Sequence, residues 1–436
     1  MISSIIFIVF LIAGTWFFTM NVRKIRRNIL LGRDLEINDR KAERWKTMMR
    51  VALGQSKMVT RPVAGIMHLF IYAGFIIINI EVLEIIIDGA FGTHRILKFL
   101  GGFYDFLIGS FEFLALLVLV ACVIFLARRN ILKLKRFWQR EMTAWPRSDA
   151  NIILICEIFL MSFFLTMNAA DYLLQQRGVA HYTPAGAFPL SSIIAGWMIH
   201  SDTQSLVMIE RFCWWAHILG ILAFLNYIPY SKHFHIFLAF PNTWYANLNP
   251  KGYFTNPENI TREVKLMLDP SETPPASTAD GSPQRFGARD VFDLTWKQLM
   301  DAYSCTECGR CTSVCPANIT GKQLSPRKIM MDTRDRLEEV GKIIDTNKEF
   351  KEDGKSLLNN YITPEELWAC TTCNACVEAC PVLIDPLSII VDLRRYLVME
   401  QSSAPAELNG MFTRMENNGA PWAYAQTDRL KWADEK

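Results

Sequence analysis

Eight of the eleven cysteines fall into two copies of one spacing. Cys305, Cys308, Cys311 and Cys315 run up to Pro316, and Cys370, Cys373, Cys376 and Cys380 run up to Pro381. Each copy reads C-x2-C-x2-C-x3-C-P, the spacing that holds paired four-iron clusters. The first three cysteines sit on a tight turn that aims three thiolates at one point. The fourth, placed before a proline, points away and reaches the other cluster. Two [4Fe-4S] clusters are therefore expected, one on Cys305, Cys308, Cys311 and Cys380 and one on Cys370, Cys373, Cys376 and Cys315. A structural zinc site closes with four ligands, usually two CxxC pairs, and has no use for the third cysteine of each run. A disulfide framework would need an oxidising compartment. Cys122, Cys156 and Cys213 lie in apolar runs and read as inert core residues.

The elements that must carry these cysteines divide the chain in two. Its 436 residues have a net charge of +3, which is no polyanion-binding signature and excludes nucleic acid as a partner. Residues 1 to about 240 are rich in long apolar runs, and the remainder is polar. Five segments, roughly 2–20, 63–87, 104–127, 152–172 and 206–230, reach the approximately 20 apolar residues that a bilayer span needs. The first lacks a basic n-region and is followed at once by Arg23, Lys24, Arg26 and Arg27, so it reads as an uncleaved span. Segments 21–62 and 128–150 carry twelve and seven Lys and Arg, against three in 88–103 and 173–205 together. The positive-inside rule puts the first pair in the cytoplasm, the N-terminus outside and the cysteines in the reducing cytoplasm. The piece Phe188 to Ile199 reads as a short interfacial or re-entrant helix on the outer side.

Of seven histidines, His94, His181 and His200 lie on external stretches and read as solvated loop residues. His68 and His217 lie in spans, and His233 and His235 at the end of the fifth. Ionisable groups at membrane depth are costly and mark function. If the fifth span continues unbroken, His217 and His235 are five turns apart on one face, roughly 27 Å along the axis. Two stacked haems would use such a pair, with His68 opposite His217. The plain alternative is a histidine hydrogen-bonded inside a bundle. Glu81, Glu84, Asp88, Glu112 and Glu157 also fall in apolar runs. Glu81, Glu84 or Glu112 would suit a quinone's proton partner, and equally a carboxylate paired at an interface.

The spans and the ending Pro229-Tyr230-Ser231-Lys232-His233-Phe234-His235-Ile236 resemble the cytochrome b subunit of respiratory nitrate reductases. They are still more similar to the membrane subunits of heterodisulfide-reductase-type complexes. The resemblance implies a distal haem b on His68 and His217, and a proximal haem on His235 and the residue ten before His68. That residue is Met58. A thioether can ligate haem iron; the other options are His233 as a substitute, or no proximal haem. Asp293 to Leu299 and Leu367 to Cys373 resemble the ferredoxin subunit of heterodisulfide reductases. They also resemble the ferredoxin segment of fused bacterial oxidoreductases that pass electrons from electron-transfer flavoprotein to menaquinone. In those fused proteins a cysteine-rich catalytic domain follows. Here no cysteine follows Cys380, and the tail through Pro421, Trp422 and Trp432 resembles the segment leading into that domain. The expectation is a separate cytoplasmic cysteine-rich iron–sulfur subunit, or electron-transfer flavoprotein, docked on the tail.

The expected fold is all-α: a five-helix transmembrane bundle of cytochrome b type (1–240), a linker (241–290), a cytoplasmic α-helical ferredoxin domain with two [4Fe-4S] clusters (291–400) and a docking tail (401–436). Residues 268–287 have the composition of an extended, solvated linker. Helices are expected at Asp293 to Tyr303, Ser325 to Glu339, from Thr363, and at Leu387 to Met399, with Ile319, Ile329, Val382 and Leu383 shielding the clusters. The expected function is electron transfer at the bacterial inner membrane between a cytoplasmic partner and menaquinone or another quinone, with the donor's catalytic site on another chain. A haem-free membrane anchor for a ferredoxin, or a membrane redox sensor, are the alternatives.

Overall fold

The computed structural model describes residues 2–269, 271 and 285–434. Among them the regular structure is all helix. Five helices are long and apolar enough to cross a membrane: Ile2–Ile29, Pro62–Phe91, Gly102–Ile131, Ala144–Gln176 and Thr203–Tyr230. The second starts on Pro62, whose missing N–H is no loss at a first helical position. The fifth starts on Asp202, whose carboxylate accepts from the Ser205 N–H. The bundle core is Ile108, Phe111, Ala115, Phe164 and Ile218. The first span turns Ile5, Val9, Ile12 and Trp16 outward, as a helix bathed in acyl chains should.

The expected helix over 188–199 is shorter, Ser191–Ala195. Its first turn is fixed by Glu112, which accepts the N–H groups of Leu190 (2.8 Å) and Ser191 (3.1 Å). The fifth span departs more from expectation. Its α-helix stops at Tyr227, a 3-10 turn covers Ile228–Tyr230, and Ser231 is extended. Pro229 has no N–H to continue the ladder, and the Ser231 hydroxyl caps a new turn by accepting from the His233 N–H. A separate helix, His235–Trp244, then begins. His217 and His235 are therefore not five turns apart on one helix.

The cysteine-bearing region is a set of short helices around one long one. Thr295 and Gln298 form a capping box on Trp296–Ser304, Ser325 caps Pro326–Asn347, and Thr363 and Glu366 form a second box on Pro364–Trp368. The long helix outruns the expected end at Glu339 by two turns. Helix Pro386–Met399 closes the domain. The segment 241–290 is not simply extended: helix His235–Trp244 runs across its start and Glu258–Leu268 is helical. Most of the stretch 268–287, read as a solvated linker, lies outside the described residues.

The two halves share one core. Ile25, Ile29, Ile228 and Phe234 from the bundle pack in a cluster with Leu294, Leu299, Tyr303, Leu337 and Val340. Asn28 donates to the Tyr303 hydroxyl (2.9 Å), the Arg33 N–H to the Leu294 carbonyl (2.7 Å), and Arg327 to Glu141 and the Arg136 carbonyl (both 2.7 Å). The domain is thus bolted to one end of the bundle by apolar contact and by buried polar ties.

Arg336 adds a buried polar tie to the apolar core of the cysteine-bearing domain. Its side chain is fully buried and forks to Asp290 (2.8 Å) and Asp353 (2.6 Å). The guanidinium holds the Asp353 carboxyl below the usual carboxylate range. Arg336→Met leaves both carboxylates without their cation and should cost about 3 kcal/mol, read as a fall in the melting temperature of detergent-solubilised protein at pH 7. A lowered carboxylate pKa stabilises above the unfolded value of about 4 and stops doing so as pH falls through the folded one. The gap between variant and wild type should therefore narrow below about pH 4.

Candidate functional site

The two cysteine turns repeat one backbone trick. Glu307 (φ 53°) and Gly309 (φ 69°) are left-handed in the first turn, and Thr372 (φ 54°) and Asn374 (φ 59°) hold the same two positions in the second. Left-handed residues curl the chain so that successive thiols converge. At Gly309 a Cβ would lie 2.5 Å from the Arg327 guanidinium, so glycine is needed there for space as well as for φ. Each turn then enters a one-turn helix, Arg310–Val314 or Ala375–Ala379, that ends at the fourth cysteine and its proline. These two helices pack on each other, which brings each fourth cysteine to the opposite turn.

The thiols sort accordingly. Burial pushes the Cys311 thiol up, and the neighbours that add to this are Cys308, Cys305 and Cys380, with Cys376 behind them. Burial likewise lifts Cys380 to about 12, with Cys308 and Cys305 contributing. Cys376, raised by burial, feels Cys370 and Cys315; Cys370 feels Cys315 and Cys373; and Cys315 feels Cys373. The stronger of these influences join Cys380 to Cys305, Cys308 and Cys311, and Cys315 to Cys370, Cys373 and Cys376. Among the described residues no three His, Cys, Asp or Glu converge tightly enough for a single metal ion. A four-iron cube asks for one thiolate at each of four separated corners. Thiols buried this deeply do not ionise unaided; bound iron would supply the compensating charge.

Each group has two buried cysteines, Cys305 and Cys380 in one and Cys315 and Cys376 in the other, and of the eight Cys373 alone is exposed. Of the expected shielding residues, Ile329 is fully buried and Val382 and Leu383 are half-buried, but Ile319 is 68% exposed and shields nothing. The group built on the first turn faces the bundle. Glu307, between Cys305 and Cys308, pairs with Lys232 and with Arg334 (2.9 Å). The Lys232 ammonium also donates to the Pro146 carbonyl (2.7 Å), and Asp149 accepts from Tyr227 and Ser231 (2.6 Å each). This network pins the broken end of the fifth span, with its two histidines, beside the first cysteine turn.

There the structure assembles a histidine pair that continuity of the helix would not give. The rings of His68 and His235 are 6.4 Å apart, and His233 is 5.7 Å from His235. The His235 Nδ1 donates to the Lys232 carbonyl (3.0 Å), which leaves Nε2 as the lone-pair nitrogen. His68 Nδ1 and the Tyr72 hydroxyl one turn on are buried without a hydrogen-bond partner. His217 is elsewhere. A Cβ at Gly89 would lie 2.9 Å from the Trp214 ring, so those two residues share a level. Counting from that level, His217 is three residues along its helix and His68 twenty-one along its own, a separation of roughly 27 Å. His217 instead donates from Nδ1 to the Leu160 carbonyl (3.0 Å) and lies against Phe164. Nor does Met58 offer its sulfur to His235: it lies 3.6 Å from the Arg310 guanidinium.

The far end of the bundle holds a second polar cluster. His94 is not a solvated loop residue: its ring meets Asp171 at 3.1 Å, and Arg95 donates to the same carboxylate (2.7 Å). Glu84 accepts from the Tyr104 hydroxyl (2.9 Å), and Glu81 is buried with one oxygen unpartnered. A cavity of ≈ 320 Å³ opens among Glu81, Asp88, His94, His181 and Glu210. Of the carboxylates weighed as proton partners, Glu84 and Glu112 thus serve the packing of loops. His200 is exposed, as expected.

Comparison with known proteins bears on the cysteine half first: residues 304–384 match the family model of the 4Fe-4S dicluster domain. Over 99% of its length the chain is 28% identical to a probable iron-sulfur-binding oxidoreductase, FadF, of Bacillus subtilis, covering 61% of that protein. This chain is a relative of iron–sulfur oxidoreductases. It is also 27% identical over 99% of its length to the EtfAB:quinone oxidoreductase of Syntrophomonas wolfei, covering 60% of it. A shorter match, 31% identical over 35% of this chain and 25% of the other, is to a probable membrane-anchored ferredoxin of Chromohalobacter salexigens. The chain spans about three fifths of the two relatives it matches end to end. No solved structure matches it. The chain thus joins five helices long and apolar enough to cross a membrane to a segment that matches the 4Fe-4S dicluster domain.

Proposed function

We propose that the chain conducts electrons between a redox partner in the cytoplasm and the quinone pool of the bacterial inner membrane. Its centres are two [4Fe-4S] clusters and one haem b. Cys370, Cys373, Cys376 and Cys315 hold the outer cluster, whose exposed Cys373 marks the face for the partner. Cys305, Cys308, Cys311 and Cys380 hold the inner one. The arrangement of His68 and His235 carries the haem reading. Two imidazoles on opposite sides of one iron, each bonded at about 2 Å, set their ring centres about 6 to 6.5 Å apart, and these stand at 6.4 Å. The Lys232 carbonyl orients one ring as outer-sphere acceptors do for ligating histidines. The unpartnered His68 Nδ1 and Tyr72 hydroxyl leave polar atoms on the second span free for a bound group. When bound, the haem supplies a one-electron centre between the two-electron quinone couple and the clusters. His217, far from this pair, is a packing histidine in this reading, and Met58 is no ligand.

Twelve basic residues in 21–62 and seven in 128–150 support a cytoplasmic cysteine domain. The likeness to an EtfAB:quinone oxidoreductase supports electron-transfer flavoprotein as the donor and a quinone as acceptor. A cysteine-rich iron–sulfur subunit is the other partner that the exposed face would suit. Purified protein should contain about eight cluster irons and a b-type pyridine haemochrome, and a quinone analogue should reoxidise the reduced haem. Eight irons without a Soret band would reduce the proposal to a membrane-anchored ferredoxin.

A further inference from the structure

Arg310 stands between the inner cysteine group and the membrane, in the gap from Cys308 to Cys311. It is 5% exposed. The other buried arginines among the described residues each have a carboxylate: Arg44 has Asp39, Arg327 has Glu141, Arg336 has Asp290 and Asp353, and Arg95 has Asp171. Arg310 donates to neutral acceptors instead. These are the Lys57 carbonyl (2.7 Å), the Thr60 hydroxyl (3.3 Å) and the Met58 carbonyl (3.3 Å), with the Met58 sulfur at 3.6 Å. The described residues give it no carboxylate partner. A buried cation without an anion is costly, so some negative group must face it when the protein is loaded. Along the chain it is flanked by Cys308 and Cys311, two thiols of the inner group. The loop that it ties, Lys57–Thr60, leads into the second span, which carries His68.

We infer that Arg310 is the counter-charge of the inner cluster and a positioning residue for electron passage, holding the loop Lys57–Thr60 and the head of the second span against that cluster. The inference rests on the two-cluster reading above. One electron enters the inner cluster from the outer one, which is thereby reoxidised, and the inner cluster gains one unit of negative charge. A fixed cation beside it favours that form, so Arg310 makes the step from outer to inner cluster run toward the membrane. Lys57 adds to the same field: its ammonium donates to the carbonyl of Glu378 (2.7 Å), two residues before Cys380, with the Glu378 carboxylate farther off at 3.7 Å.

The test is a redox titration of the full-length holoprotein followed by electron paramagnetic resonance, with iron content measured alongside. In Arg310→Gln the inner cluster should be harder to reduce, its reduced-to-oxidised ratio at fixed ambient potential falling about tenfold or more. The outer cluster should not move. Arg310→Lys keeps the charge and should stay within about twofold of wild type in that ratio. Should Arg310→Gln fail to retain iron, Lys57→Gln decides: it should shift the inner cluster alone, in the same direction and by less. An unmoved inner cluster in iron-replete Arg310→Gln (or in Lys57→Gln if that variant is needed), or an Arg310→Lys shift as large as that of Arg310→Gln, would overturn the role. Wild-type protein with no four-iron signal would sink the two-cluster reading itself.

Discussion

His235→Ala should abolish the haem spectrum while about eight cluster irons remain. Its ring stands across from His68, and a low-spin b haem needs both. His68→Ala should give the same loss. His217→Ala should leave haem content unchanged, since its level in the bundle is roughly 27 Å from that of His68. Its cost should instead be one of packing, from the lost bond to the Leu160 carbonyl and the contact with Phe164. The measurement is the pyridine haemochrome per mole of iron–sulfur protein in the three variants. A haem that survives His235→Ala and disappears in His217→Ala would restore the pairing of His68 with His217 and refute the assignment.

The second large effect is a cross-over. Cys380 belongs by sequence to the second motif, yet its thiol neighbours Cys308 and Cys305. Cys380→Ser should therefore damage the cluster of the first motif, and its spectrum should match that of Cys305→Ser. Cys315→Ser should match Cys370→Ser. Each variant should lose about half of the cluster iron or convert one cube to a three-iron form. If Cys380→Ser instead matches Cys370→Ser, each motif closes on itself and the exchange of fourth cysteines is wrong.

How far the sequence reaches depends on the range over which its constraints act. The cysteine spacing is local: two left-handed residues and a one-turn helix lie within each eleven-residue run, so the shape of each turn is readable before folding. Capping signals are local too, and Ser325 and Thr363 start helices where expected. The histidine pairing depended on helix continuity across Pro229. A turn ending at Ser231 removes it, because phase along a helix is lost once the i to i−4 ladder breaks. His94 looked like a loop residue because its carboxylate, Asp171, is 77 positions away. Arg310 was one of 46 lysines and arginines. Its place between two ligand cysteines was the only available hint, and its lack of an acidic partner is visible only in three dimensions. Ile319 is apolar but lies on the outer surface of its turn, a matter of facing that a single short helix does not reveal.

The apolar seam of Ile25, Ile29, Ile228 and Phe234 with Leu294, Leu299 and Val340 has a kinetic meaning. Many electron carriers are tethered modules that swing between donor and acceptor, and their turnover is timed by that search. Here the cysteine-bearing domain is fixed to the bundle, so the distance from the first cysteine turn to the histidine pair is set once, when the chain folds. Electron flow through such a joint is governed by tunnelling and driving force. In the proposed conduit, any waiting step falls at the exposed Cys373 face or at the quinone, outside the joint itself.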